Sequence, residues 1–288
     1  MTKIPTGYNV ANDQSVSDAD IKAQLLSEHK QTEVKKSKFP TEIVPLPSKG
    51  LLYPEGHPLS NGTIEMKYMT AKEEDILTSQ NLIKQGVVLD KLFESLIITP
   101  INYNDLFVGD KNAIMIAARI LGYGKEYTVE VDDPFSAGNK QNVTIDLTQI
   151  EHKEVDYTPF ENRNNQIDYT LPISGRTVTF RLMTHGIEKE IQSEIKSMNK
   201  TLIKSGIDRE LTTRLKHLIV AVDGETGRAT INNFVDNELF AADSRALRSF
   251  MKEISPDVDM TFTFISEVTG EVKEMEIPIE VSFFWPTN

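Results

Sequence analysis

The stretch VPLPSKGLLYPEGHPLSNGTIEMKYMTAKEEDILTSQNLIKQG, residues 44–86, runs from dense turns into a strand and then a helix. Pro45, Pro47, Gly50, Pro54, Gly56, Pro58 and Gly62 punctuate its first half. Each proline removes a backbone donor and each glycine permits positive φ, so this half predicts turns and short extended pieces. Over residues 63–68, Ile64, Met66 and Tyr68 alternate with Glu65 and Lys67, the period of a half-buried strand. Thr70 followed by Glu73 then makes a capping box, and Glu73, Glu74 and Asp75 complement the positive end of a helix that Gly86 closes.

Downstream the same alternation of element types continues. A helix is expected over residues 89–98 and another from Asp110 through AIMIAARILGYG to Gly122 and Gly124. The run YTVEVDDPFSAGNKQNVTIDL then reads as a hairpin, and after a polar connector over residues 151–165, DYTLPISGRTVTFRLMT reads as a second one turning at Ser174-Gly175. GIEKEIQSEIKSMNKTLI sets Ile187, Ile191, Ile195 and Met198 on one helical face. DRELTTRLKHLIVAV does the same with Leu211, Leu215, Leu218, Ile219 and Val222, and SRALRSFMKEI with Leu247, Phe250, Met251 and Ile254. The chain closes on strands around a Val-Thr-Gly-Glu turn and on EVSFFWP. Read as a strand, this last segment puts Val281, Phe283 and Trp285 on one face and Phe284 on the other. The order predicts an α+β fold of helical units interleaved with antiparallel β-hairpins, preceded by an extended N-terminal arm, and argues against a parallel βαβ sheet. The expected division is an arm over residues 1–40, an N-terminal unit over 41–150 and a C-terminal unit over 151–288.

The arm is polar, with a lysine-rich stretch at Lys35, Lys36 and Lys38, and reads as flexible or ordered by a partner. One short helix fits inside it, capped by Ser17, with Ile21, Leu25 and Leu26 as an apolar face too narrow to fold alone.

Composition removes whole classes of chemistry. Without cysteine there is no disulfide, thiolate nucleophile or thiolate metal site. The five histidines, at 29, 57, 152, 185 and 217, include no pair at ligand spacing. A net charge of −12 disfavours binding to a phosphate backbone. No apolar run is long enough to span a membrane, and the N-terminus lacks the charged and apolar regions of a secretory signal, so folding in the cytosol is expected. LGYGKEY closes a helix and precedes a strand, the reverse of a phosphate-binding loop. There is no GxSxG turn. Glu73, Glu74 and Asp75 read as helix-end charge, and Asp132 and Asp133 as a polar hairpin tip, more simply than as metal ligands.

Several segments taken together resemble the baseplate hub protein family of T4-like contractile-tailed phages. Residues 44–97 are similar to its opening block, with PSKGLLYP and MTAKEEDILT the most specific parts. DLFVGDKNAIMIAARILGYGKEYTVEV (105–131) resembles its second block. DSRALRSFMKEISPDVDMTFTF (243–264) and EVSFFWP (280–286) resemble its third. The resemblance also implies a CPxC-like pair and a CxxCG-like pair in many relatives, the pattern of a zinc knuckle. Here DDPFSAG and ISEVTGE stand at those places, and no zinc role carries over.

The resemblance implies a structural component of the tail baseplate, in or assembling the central hub. Its partners would be other baseplate and tail proteins in a multi-subunit symmetric assembly, with no nucleic acid, membrane, cofactor or metal. It would be assembled in the host bacterial cytoplasm and end in the virion. The alternative is a transient assembly chaperone absent from the mature particle. A cell-wall hydrolase of the tail tip has no recognisable pair of carboxylates to work with. The candidate interface residues are Ile21, Leu25, Leu26, Lys49 and Phe284. Lys49 is expected to be exposed on its turn, either available to an acidic partner or merely solvating the turn. The terminal aromatics read as edge-of-core packing ahead of an interface anchor.

Overall fold

The computed structural model describes residues 40–201, 209–279 and 281–285. The helix expected around Ile21, Leu25 and Leu26 lies outside these residues.

The turn-rich stretch lies between two paired strands. β1 (Thr41–Pro45) runs antiparallel to β2 (Thr63–Lys67), from Thr41 opposite Lys67 to Pro45 opposite Thr63. As the alternation predicts, Ile64 and Met66 turn inward and are buried. Thr70 and Glu73 form the capping box of α1 (Ala71–Thr78). The single helix expected up to Gly86 is broken at Ser79, whose backbone is extended, and resumes as α2 (Gln80–Gln85). Gly86 closes it in the left-handed conformation. α3 (Val88–Leu96) and α4 (Val108–Tyr123) follow, and Leu92, Leu96, Ile114 and Ala118 from them are fully buried. Burying a leucine or isoleucine contributes roughly 1.5–3 kcal/mol.

Three antiparallel sheets make up the rest. β3 (Glu126–Asp132) pairs with β4 (Lys140–Asp146), with Tyr127, Val129 and Val131 facing the core. β5 (Ile167–Thr170), β6 (Thr177–Phe180) and β7 (Ile219–Val222) form a three-stranded sheet in that order. β8 (Thr261–Ile265) pairs with β9 (Val272–Glu276). Between them lie α5 (His185–Thr201), α6 (Glu210–Leu218), α7 (Arg228–Asn233), a π turn over Phe234–Glu238, and α8 (Ala241–Ile254).

β7 corrects the expectation of one long helix through Ile219 and Val222. The helix stops at Leu218, and Ile219–Val222 supplies the second neighbour of β6, with Val178 opposite Val222. Three of its four residues are β-branched, which favours a strand once an open edge is there to receive it. Leu211, assigned to the apolar face of that helix, is 44% exposed. One contiguous core takes in residues from Leu46 on the first turns to Phe284 near the C-terminus.

Candidate functional site

The PSKG turn is clamped onto the start of α4. Asp110, buried on the first turn of that helix, accepts hydrogen bonds from the Ser48 amide (3.0 Å), the Ser48 hydroxyl (2.7 Å) and the Tyr53 hydroxyl (2.7 Å). Burial raises the Asp110 carboxyl above its ordinary range, although the Tyr53 and Ser48 bonds oppose that. Burial likewise raises the Tyr53 phenol, and the neighbouring carboxylate adds to the effect. Gly50 and Gly62, both at positive φ, let the two arms of the loop touch. A Cβ on Gly50 would lie 2.5 Å from the Ser60 carbonyl oxygen and 2.6 Å from the Gly62 nitrogen.

Lys49 projects from this turn. It is exposed, as its sequence setting predicts, and adopts a φ of 49°, a conformation that disfavours a side chain. Its ammonium stands 4.3 Å from the centroid of Tyr157, whose hydroxyl donates 2.6 Å to the Pro47 carbonyl. The ring thus holds both the turn and its lysine.

Three further carboxylates are spent in the same way. Glu73, fully buried, accepts from Lys67 (2.7 Å), Ser95 (2.7 Å) and both the amide and hydroxyl of Thr70. Burial raises this carboxyl, but those bonds outweigh it and hold the group at about 2. Asp243 accepts the amides of Ile173 (2.8 Å) and Ser174 (3.0 Å), fixing the hairpin turn between β5 and β6 onto α8. Asp133 accepts from the Ser266 hydroxyl at 2.6 Å and the Phe135 amide at 2.8 Å.

The Asp133 contact joins two hairpin tips. Gln141 on β4 extends it by donating to the Ile265 carbonyl (2.9 Å) and accepting from the Glu267 amide (3.0 Å). The turns DDPFSAG and ISEVTGE, singled out by the family resemblance, are therefore in direct contact. Beyond them the β8–β9 tip exposes Ile265, Val268 and Val272 at 57%, 62% and 60%.

A fifth cluster has the residue types of an acid–base site. Lys111 Nζ lies 2.9 Å from Asp90 and 3.2 Å from His185 Nδ1, and the Tyr103 hydroxyl donates to Asp90 at 3.2 Å. Burial, then the nearby Lys111 charge, depress the His185 ring below its ordinary value, so it is neutral near pH 7 and accepts at Nδ1. The His185 ring also packs edge-on against Tyr103, 4.6 Å between centroids. The group ties α3, α4 and the start of α5 together, and its lysine and aspartate neutralise each other.

The C-terminal segment corrects the strand expectation. Val281–Phe283 is a single 3-10 turn, so successive aromatics do not alternate between a dry and a wet face. Phe283 packs against Tyr127 (5.0 Å) and Phe284 against Phe93 (5.9 Å), with exposures of 0% and 2%. Trp285 Nε1 donates 3.1 Å to the Leu77 carbonyl. Phe284, expected to face outward as a candidate contact, is thus a core residue in this chain. The aromatics are drawn inward because this segment crosses α3 and β3, whose apolar sides both need covering.

An open groove of about 810 Å³ lies beside the start of α4, with Leu52, Met115, Met183, Met260 and Ile277 among its walls. Its Asp257 already accepts from Asn112 at 2.9 Å. Among the described residues no three His, Asp or Glu side chains are grouped to hold a metal ion, and no helix is long and apolar enough to cross a membrane.

None of the long-range partners of Asp110, Asp133 or Asp243 carries a signal in the sequence, since each pairing joins segments far apart. The sequence model of a family described as T4 bacteriophage base plate protein matches residues 53–285. No curated protein and no solved structure matches the chain.

Proposed function

Because the chain belongs to the T4 bacteriophage base plate protein family, we propose that it is a resident structural subunit of the contractile tail's baseplate, within the central hub. The observation that carries this reading is the family match over most of the chain, joined to the hub-like blocks PSKGLLYP and MTAKEEDILT. The use made of the polar residues supports it. Glu73, Asp110, Asp133 and Asp243 are occupied by donors from the chain's own strands, turns and helices. Such groups fix a shape, and these four carboxylates are not left free for general acid–base work. The reading is therefore of a non-enzymatic part that holds its neighbours in place.

Its partners are other baseplate and tail proteins. The acidic surface turns it away from nucleic acid, and assembly takes place in the host cytoplasm before the tail enters the virion. The hub assignment is tested by fusing a compact tag to the chain and imaging isolated baseplates by electron microscopy. Extra density at the centre is expected. Density on the periphery would move the protein out of the hub while leaving it in the baseplate.

A further inference from the structure

The β8–β9 hairpin has one edge against the rest of the fold and one open. Ser266 donates its amide to the Glu271 carbonyl and Ile277 to Met260, and Thr263 stands opposite Glu274. In an antiparallel ladder these bonds fix the alternation. The backbone groups of Thr261, Thr263 and Ile265 point outward from β8, and those of Val272, Glu274 and Glu276 outward from β9. The β8 side is met by β4, where Gln141 takes the Ile265 carbonyl. On the β9 side, no backbone partner for Val272, Glu274 or Glu276 occurs among the described residues, and all three side chains are exposed.

The side chains on this ribbon are equally asymmetric. Phe262 and Phe264 face inward opposite Met275 and Lys273; Phe264 is fully buried, whereas Lys273 lies at the rim and is exposed. The outer face therefore carries Ile265 and Val272 at the tip and Glu274 and Glu276 towards the base. An exposed strand edge invites pairing. Pairing two copies so that all three open positions of β9 are used would set Glu274 opposite Glu274, a like-charge contact that destabilises a sheet. The carboxylates thus select against a second copy and for a strand of opposite charge.

We propose that the open edge of β9 takes up an extended segment of another protein as an added strand, with basic residues beside Glu274 and Glu276 and an aliphatic residue beside Val272. Main-chain hydrogen bonds supply the affinity in this mode, and the alternating side chains supply the choice of partner. The inference adds a docking mode to the baseplate reading and is tested separately from it, on purified protein.

The probes are a peptide with the sequence Lys-Thr-Lys-Thr-Val, whose lysines and valine share one face of an added antiparallel strand, and its counterpart with glutamate in place of both lysines, read by amide hydrogen exchange. The lysine peptide is expected to slow exchange at Val272, Glu274 and Glu276 at least fivefold, and the glutamate peptide to leave them unchanged. In the double variant Glu274→Lys, Glu276→Lys, the preference should reverse. Val272→Pro removes an outward N–H that the hairpin itself does not use, and should weaken the lysine peptide's binding at least fivefold. Slow exchange of these amides in the free chain would overturn the proposal, because the edge would already be covered. So would equal protection by both peptides, or binding of the lysine peptide without protection on β9, which would mark general attraction to an acidic surface.

Discussion

The Asp133 carboxylate and the Ser266 hydroxyl, 133 positions apart in sequence, meet in a buried 2.6 Å hydrogen bond. It joins the two turns at which the family resemblance places cysteine pairs in many relatives. Gln141 supports the same junction, donating to the Ile265 carbonyl and accepting from the Glu267 amide. Asp133→Ala leaves the Ser266 hydroxyl without its acceptor and should cost roughly 1–3 kcal/mol. For a protein of this size that lowers the melting temperature by about 2–4 °C per kcal/mol. Combined with Ser266→Ala, the loss should fall short of the sum of the single losses by at least about 0.5 kcal/mol. Strict additivity would show that the two residues do not act as a pair.

Glu73 makes stability sensitive to acid. Its folded-state carboxyl is held at about 2, below the ordinary value of 4.5. A depressed carboxylate contributes stability above its unfolded value and loses it as pH falls towards the folded one. The contribution is at most about 3 kcal/mol at neutral pH. In urea unfolding, the advantage of the native chain over Glu73→Gln should be full at pH 7 and shrink steadily between pH 4.5 and pH 2. An advantage that does not change across that window would remove Glu73 from the acid response.

The local codes were legible in sequence. The Thr70–Glu73 capping box, the Gly86 helix end, and the turns at Ser174-Gly175 and Val268-Thr269-Gly270 all depend on residues within a few positions of one another. Ile219–Val222 was not legible as a strand, because its apolar spacing continues that of α6 and only the open edge of β6 decides the matter. The partners of Asp110, Asp243 and Asp133 lie 62, 70 and 133 residues away, beyond any local pattern. As for the candidate interface, Lys49 is where its turn predicts, whereas Phe284 went inward because period-two alternation assumes a strand that residues 281–283 do not form.

Phe283→Ala and Phe284→Ala should now be equally severe, each removing a fully buried ring at a cost of about 3–5 kcal/mol. Thermal unfolding of the isolated variants checks this. A Phe284→Ala protein that melts like the parent would return that ring to the surface and to the list of contacts.

Lys49→Glu loses one cation–π contact, worth about 0.5–1 kcal/mol at an exposed site, so the isolated protein should melt within a few degrees of the parent. Its incorporation into tails should nonetheless fall, as expected for a charge that meets an acidic neighbour. Normal incorporation would leave Lys49 as part of the turn and nothing more.

Residence in the baseplate is tested most directly by quantitative mass spectrometry of purified, mature particles. Peptides of this chain should be present at a fixed ratio to the other baseplate proteins and remain through purification of intact tails. Their absence from mature particles, with the chain still required for tails to form, would contradict residence and identify a transient assembly factor.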